Sequence, residues 1–201
     1  MSKIALHSTR VLTPNGIKEA TILIENGVIS SVMDGFIQHD NIEIQSTENV
    51  IMPGLIDSHV HINEPGRTEW EGFNTATKSA AASGITTLID MPLNSSPVSV
   101  DLKSFQNKLD ATEANLHVNC GFWGGLIPES IESLDELILS GVLGVKAFLT
   151  HSGIDEFPNV TELDLRKALP ILKKHNSTLL VHCELDAPHI DEQLLKDNPT
   201  N

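Results

Sequence analysis

The sequence is short of positive charge. Thirteen Lys and Arg face 27 Asp and Glu in 201 residues, a formal net charge of −14, which repels phosphate backbones and anionic lipid. Nucleic acid and membrane surfaces are therefore not expected partners. Cysteine is scarce as well: Cys120 and Cys183 are the only two, each in an apolar run that reads as a buried strand. A disulfide scaffold is not indicated, and a reducing compartment fits better. No apolar run approaches the roughly 20 residues of a membrane span, and the opening MSKIALHSTR lacks the apolar core of a signal peptide. These absences lead to the expectation of a soluble, cytoplasmic protein. Short repeats and low-complexity tracts are also missing, and the length suffices for one domain, or a domain with a small appendage, around a buried core.

What is present divides in two. Residues 1–52 are rich in short β-like runs and turn signals, most clearly EATILIENGVISSV, where Asn26-Gly27 between two β-branched runs predicts a type I′ hairpin. A small N-terminal β-domain is expected there. From 53 to 201 apolar strands alternate with helical stretches, the pattern of parallel βαβ units. The predicted strands lie at about 54–60, at ITTLID, LHVNCGFWG and LGVKAFLT, and at TLLVHCE. Between them the predicted helices are EWEGFNTATKSAAAS, stopped by Gly84, VDLKSFQNKLDATEA, SIESLDELILS, stopped by Gly141, and a run to His175 that Thr161 and Asp164 open as a capping box. Five strands and four crossover helices fit either an open doubly wound sheet or a (β/α)8 barrel cut short, since a closed barrel needs eight units and about 250 residues.

His59 and His61 are two apart on the first of these strands and leave it on one face, with Asp57. They start a metal site or are hydrogen-bonded strand-end histidines. Lys146 lies in GVKAFL, an apolar strand where an unpaired ammonium is costly to bury. Its amine reacts with carbon dioxide to give a bridging carbamate, snorkels to the strand end, or pairs with a carboxylate. His182 ends the fifth strand much as His61 ends the first, and loops after parallel strands converge at one rim. His151 is a reserve candidate. His7, His39, His117, His175 and His189 have less persuasive settings. Asn63, Glu64 and Arg67 follow the histidine pair, Asp90 and Asn94 follow the second strand, and Ser152-Gly153 follow the fourth; each contacts a substrate or forms a turn. Asn63, Arg67, Asn94, Ser152 and Gly153 are the substrate-contact candidates. Cys183 reads as a packed thiol.

PGLIDSHVHINEPG, GITTLIDMPLN, GFWGGLIP, GVKAFL and LLVHCE, in this order, resemble the cyclic-amidohydrolase superfamily, and within it look most like the allantoinase branch. The resemblance covers nearly the whole chain. It implies an α/β fold, an amidohydrolase-type (β/α)8 TIM barrel of which only about the first five βα units are present, beside the small β-domain. It also implies two Zn2+ bridged by N6-carboxylated Lys146, a cytoplasmic homotetramer when full length, and ring-opening hydrolysis of allantoin to allantoate. His59 and His61 would bind one metal, Lys146 both, and His182 the second. A further histidine and the general-base aspartate of the family would follow the sixth and eighth strands, so no catalytic base is expected within the chain. Dihydroorotases carry Arg in the motif where this chain has Asn63, and the neutral amide suits an uncharged hydantoin better than a carboxylate. MPLN points the same way, and dihydropyrimidinase-type enzymes, lacking Glu-Pro-Gly, rank third. A reading of another class is a non-catalytic fragment with an exposed sheet edge.

Overall fold

A computed structural model describes residues 3–45 and 48–184; His189 lies outside them. Chain contacts separate residues 1–54 from 55–201.

In the first unit, β1 (Lys3–Thr13), β2 (Gly16–Glu25), β3 (Val28–Asp34) and β4 (Ile42–Ile44) form one sheet in the order β3-β2-β1-β4. The first three are antiparallel neighbours, and β4 runs parallel to β1. Asn26 and Gly27 have φ of 53° and 80°, and Glu25 pairs with Val28. Positive φ at both central residues is what a two-residue type I′ loop demands, so the predicted hairpin forms. Its core is small: Val11, Ala20 and Ile22, with Leu6, Ile24 and Ile51 packed against them.

The second unit alternates strands and helices: β5 (Leu55–Val60), α1 (Phe73–Ala82), β6 (Ile85–Asp90), α2 (Leu102–Thr112), β7 (Asn119–Phe122), β8 (Gly124–Gly125), α3 (Leu134–Leu139), β9 (Gly144–Phe148), α4 (Glu162–Lys174) and β10 (Thr178–His182). All ladders are parallel, β5-β6-β7 and β8-β9-β10. Only Trp123 separates β7 from β8, and its N–H still donates to the Asp90 carbonyl at 2.9 Å. The strands therefore follow chain order, without the reversal that marks a doubly wound sheet. The Trp123 indole donates to the Ser58 carbonyl on β5 at 3.0 Å, while its ring edge would meet any Cβ at Gly144 on β9 at 2.9 Å. One side chain thus bridges β5 of one ladder and β9 of the other.

One face of this sheet is covered by the helices. Phe73, Leu88, Phe105, Phe122 and Leu137 form one cluster, and Leu126, Leu134, Val145, Ala147, Ala168 and Leu172 another. Strand side chains alternate between faces, so Lys146 and Phe148 point away from the Val145 and Ala147 side. A third cluster, with Met91, Phe148 and Phe157, packs there.

Several boundaries differ from the sequence reading. Helix α1 starts at Phe73, not Glu69, because the Glu64 carboxylate accepts the Phe73 N–H at 2.8 Å and Asn63 N–H bonds the Glu71 carbonyl at 3.0 Å. An acceptor aimed at a free helical N–H sets the start there. The third helix is preceded by a 3-10 turn over Pro128–Ser133, in keeping with proline at a helix entrance. Thr161 and Asp164 do cap α4 reciprocally. Cys183 was expected to be packed and is exposed, one residue past β10; Cys120 is half-buried, and burial pushes its thiol up to about 12. Among the described residues no helix is long and apolar enough to cross a membrane.

Candidate metal centre

Val60 packs against the helix-side cluster, so His59 and His61 on either side of it turn to the opposite face. Their ring centroids are 5.4 Å apart. Asp57, on the same face, is occupied by the His59 backbone N–H at 3.1 Å. Desolvation holds His61 below the ordinary imidazole range, and the positive charges of His59, Lys108 and Lys146 add to it, against a backbone hydrogen bond with Leu93. A neutral imidazole is the form that ligates a metal.

Lys146 is in the middle of β9, in register between Gly125 and Leu180. It is 5% exposed. Its Nζ lies 4.8 Å over the Phe148 ring and forms no ion pair among the described residues. Desolvation lowers its pKa, opposed by Cys183. The alternative of a carboxylate partner is thus not realised here. His182 stacks on the same Phe148 ring, at 4.9 Å and 12°, and its Nε2 meets the Glu184 carboxylate at 3.0 Å. Phe148 is therefore a wall shared by the lysine and the third histidine. Among the described residues no three His, Cys, Asp or Glu side chains gather closely enough to hold a metal.

The loop candidates divide. Asn63 is buried, and its Oδ1 has no hydrogen-bond partner, an expensive state for an amide. Arg67 is tied down: it donates to the Asn94 carbonyl at 2.9 Å and to Glu156 at 2.8 Å, with its guanidinium 5.3 Å from the Trp70 ring centroid. Asn94 has φ of 75° and presents its carbonyl to Arg67. The Ser152 hydroxyl bonds within its own loop, to the carbonyls of Ile154 and Phe157. Gly153 has φ of 97°, and its N–H donates to His151 Nδ1 at 3.0 Å. The loops after β5 and β6 interlock: Ser96 N–H donates to the Pro65 carbonyl at 2.8 Å, and a Cβ at Gly66 would lie 2.4 Å from the Ser96 carbonyl.

Asp90 is the principal correction. Its two expected roles were a substrate contact or a turn; it is instead the last residue of the ITTLID strand, β6, and fully buried. Its Oδ1 accepts the Ile62 N–H at 2.7 Å and its Oδ2 meets Lys108 Nζ at 2.5 Å. Lys108, 1% exposed, was missed altogether. The available signal was its position three residues past Phe105 and four past Ser104, on the buried face of α2.

A parallel sheet with helices on one face and histidines at strand ends defines a class, and a profile of the amidohydrolase family matches residues 50–199. The chain belongs to the amidohydrolase family. It is 43% identical to the allantoinase of Arabidopsis thaliana over 189 residues, 90% of this chain and 37% of that one. It is 41% identical to the allantoinase of Saccharomyces cerevisiae over 200 residues, 94% of this chain and 44% of that one. Among solved structures, the L-hydantoinase (dihydropyrimidinase) from Arthrobacter aurescens superposes with a TM-score of 0.82 at 25% identity, over 92% of this chain and 41% of that one. The dihydropyrimidinase from Brevibacillus agri, at 21% identity, shares the fold with a TM-score of 0.74, over 92% of this chain and 40% of that one. The chain therefore spans less than half the length of these relatives.

Family members are typically binuclear metal enzymes. The donors here fit such a group: a pair of imidazoles on one strand face, a buried amine without an ion-pair partner whose surroundings favour the neutral form, and a third imidazole on the next strand. Nitrogen donors of this kind suit a divalent first-row transition metal.

Proposed function

We propose that this chain is the metal-binding part of an allantoinase, with the five strands as the first five of a (β/α)8 barrel and residues 1–52 as a separate β-domain. His59 and His61 would hold one zinc ion, His182 would hold the second, and Lys146 as its carbamate would be a ligand to both; in this structure His182 is bonded to Glu184. When bound, the two ions supply Lewis-acid activation of water and of the ring carbonyl. The chain's own residues supply the rest. The neutral Lys146 amine is the species able to take up carbon dioxide, and Phe148 shields it from water. Asn63 offers its unpartnered Oδ1 to a ring or ureido N–H of allantoin, while Arg67 braces the loops and is not free to meet a carboxylate.

The observation that carries the substrate is Asn63, a buried amide acceptor in the loop that follows the histidine pair. An N–H-rich neutral ring satisfies it, whereas dihydroorotate brings a carboxylate that wants an arginine. The native protein containing this chain should hydrolyse allantoin and leave dihydroorotate untouched, with bound zinc lost in Lys146→Ala. Preferential turnover of dihydroorotate would refute the assignment. The same reading carries a homotetramer, to be checked by sedimentation velocity. A second reading, a chain that does not itself catalyse, is favoured by the His182–Glu184 contact. Zinc uptake without turnover by the 201-residue chain would support it.

A further inference from the structure

His61 lies one residue past the end of β5, where the β5–β6 ladder stops. A strand end is ordinarily free to fray. Here the residues on both sides of it are held by β6. Met91 N–H donates to the Val60 carbonyl at 2.8 Å, and Ile62 N–H donates to Asp90 Oδ1 at 2.7 Å. The second oxygen of that carboxylate is held by Lys108 Nζ at 2.5 Å, which also reaches the Met91 carbonyl at 3.4 Å. Ile62, Asp90, Met91 and Lys108 are all at most 1% exposed.

We propose that Asp90 and Lys108 are positioning residues for the histidine pair: the carboxylate takes the place of the next ladder carbonyl, and the α2 lysine locks it. Neither side chain touches substrate or metal. A buried ion pair is a poor source of net stability, because desolvation offsets its attraction, but removing one partner is severely disruptive. Its value here is directional: it gives the backbone past His61 one acceptor in one place, so the imidazole spacing is set before any ion arrives. Pre-set donors bind more tightly because less freedom is lost on binding.

The inference rests on the metal reading of His59 and His61, and the test separates the two. Cobalt(II) is titrated into the purified protein and followed by its visible absorption, with circular dichroism as the folding control. The parent is compared with His59→Ala, with Asp90→Asn/Lys108→Met, which keeps an oxygen for Ile62 N–H, and with Asp90→Ala/Lys108→Met, which removes it. Both double variants delete the charges together. The alanine variant should bind cobalt about tenfold more weakly, the lower range for losing an outer-shell partner, and the asparagine variant should recover most of it. Equal affinity in the two double variants would overturn the positioning role while leaving the metal reading intact. A parent whose cobalt spectrum is unaffected by His59→Ala would sink the metal reading and the proposal with it. Should the alanine variant not fold, hydrogen exchange of the Ile62 amide in the parent decides: protection equal to the β6 interior supports the anchor, and exchange as fast as an open loop refutes it.

Discussion

The two units differ in the depth of their cores. In the N-terminal sheet the buried apolar residues are Ala5, Val11, Ala20 and Ile22, while Ile17, Val28, Ile29 and Ile44 are 54–68% exposed. In the second unit three clusters pack around the parallel strands, and the buried set includes Asp90, Lys108 and Lys146. Strand-forming residues and a good turn suffice for a sheet. Chemistry needs a core deep enough to hold polar groups away from water, where their orientation and protonation can be controlled.

The comparison breaks most sharply under core truncation. Leu134→Ala, at a site with 0% exposure, should cost about 2–5 kcal/mol, whereas Val28→Thr in the first unit should stay within about 0.5 kcal/mol; urea unfolding of each variant measures both. Gly66→Ala should cost about 1–3 kcal/mol by forcing the interlocked loops apart. Gly27→Ala, where nothing lies within 4 Å of the added carbon, should cost only about 1 kcal/mol for the positive φ. If thermal melts show the two glycine variants equal, the loop contact is not what holds Gly66.

Lys146→Met is the informative reversal. Removing an unpaired buried amine should stabilise the metal-free protein, by about 1 kcal/mol, while abolishing zinc retention. Because burial lowers the Lys146 pKa, the unfolded chain binds more protons than the folded one between the two pKa values. Stability should therefore rise with pH through that alkaline window, and Lys146→Met should flatten the rise in denaturation midpoints measured at successive pH values. The smallest effect is at Asp135, whose carboxyl is held low first by His175 and then by Lys174. A depressed carboxylate contributes above its unfolded pKa and loses that contribution as pH falls through the folded one. Asp135→Asn should lower the midpoint slightly at pH 7 and match the parent in acid.

The architecture was legible where local rules and tertiary demands agree. ITTLID forms a strand over those same six residues, Asn26-Gly27 turns the hairpin, and Thr161 with Asp164 opens α4. The misses arise where a distant group intervenes: a carboxylate nine residues away starts α1, and an indole splits the third strand into β7 and β8. At the candidate site, spacing singles out the histidine pair and a charge in an apolar run singles out Lys146. The Asp90–Lys108 pair could not be read from a motif, since its partners are 18 residues apart and meet only when α2 packs on the sheet.

Trp123 gives the molecule an optical reporter. It is one of two indoles; the other, Trp70, is 61% exposed and should emit like an indole in water. Trp123, bonded next to His59 and wedged against Gly144, should emit further to the blue and resist acrylamide. A paramagnetic ion held by the histidines should quench that component first, so fluorescence alone can follow both the seam between the two ladders and the filling of the histidine site.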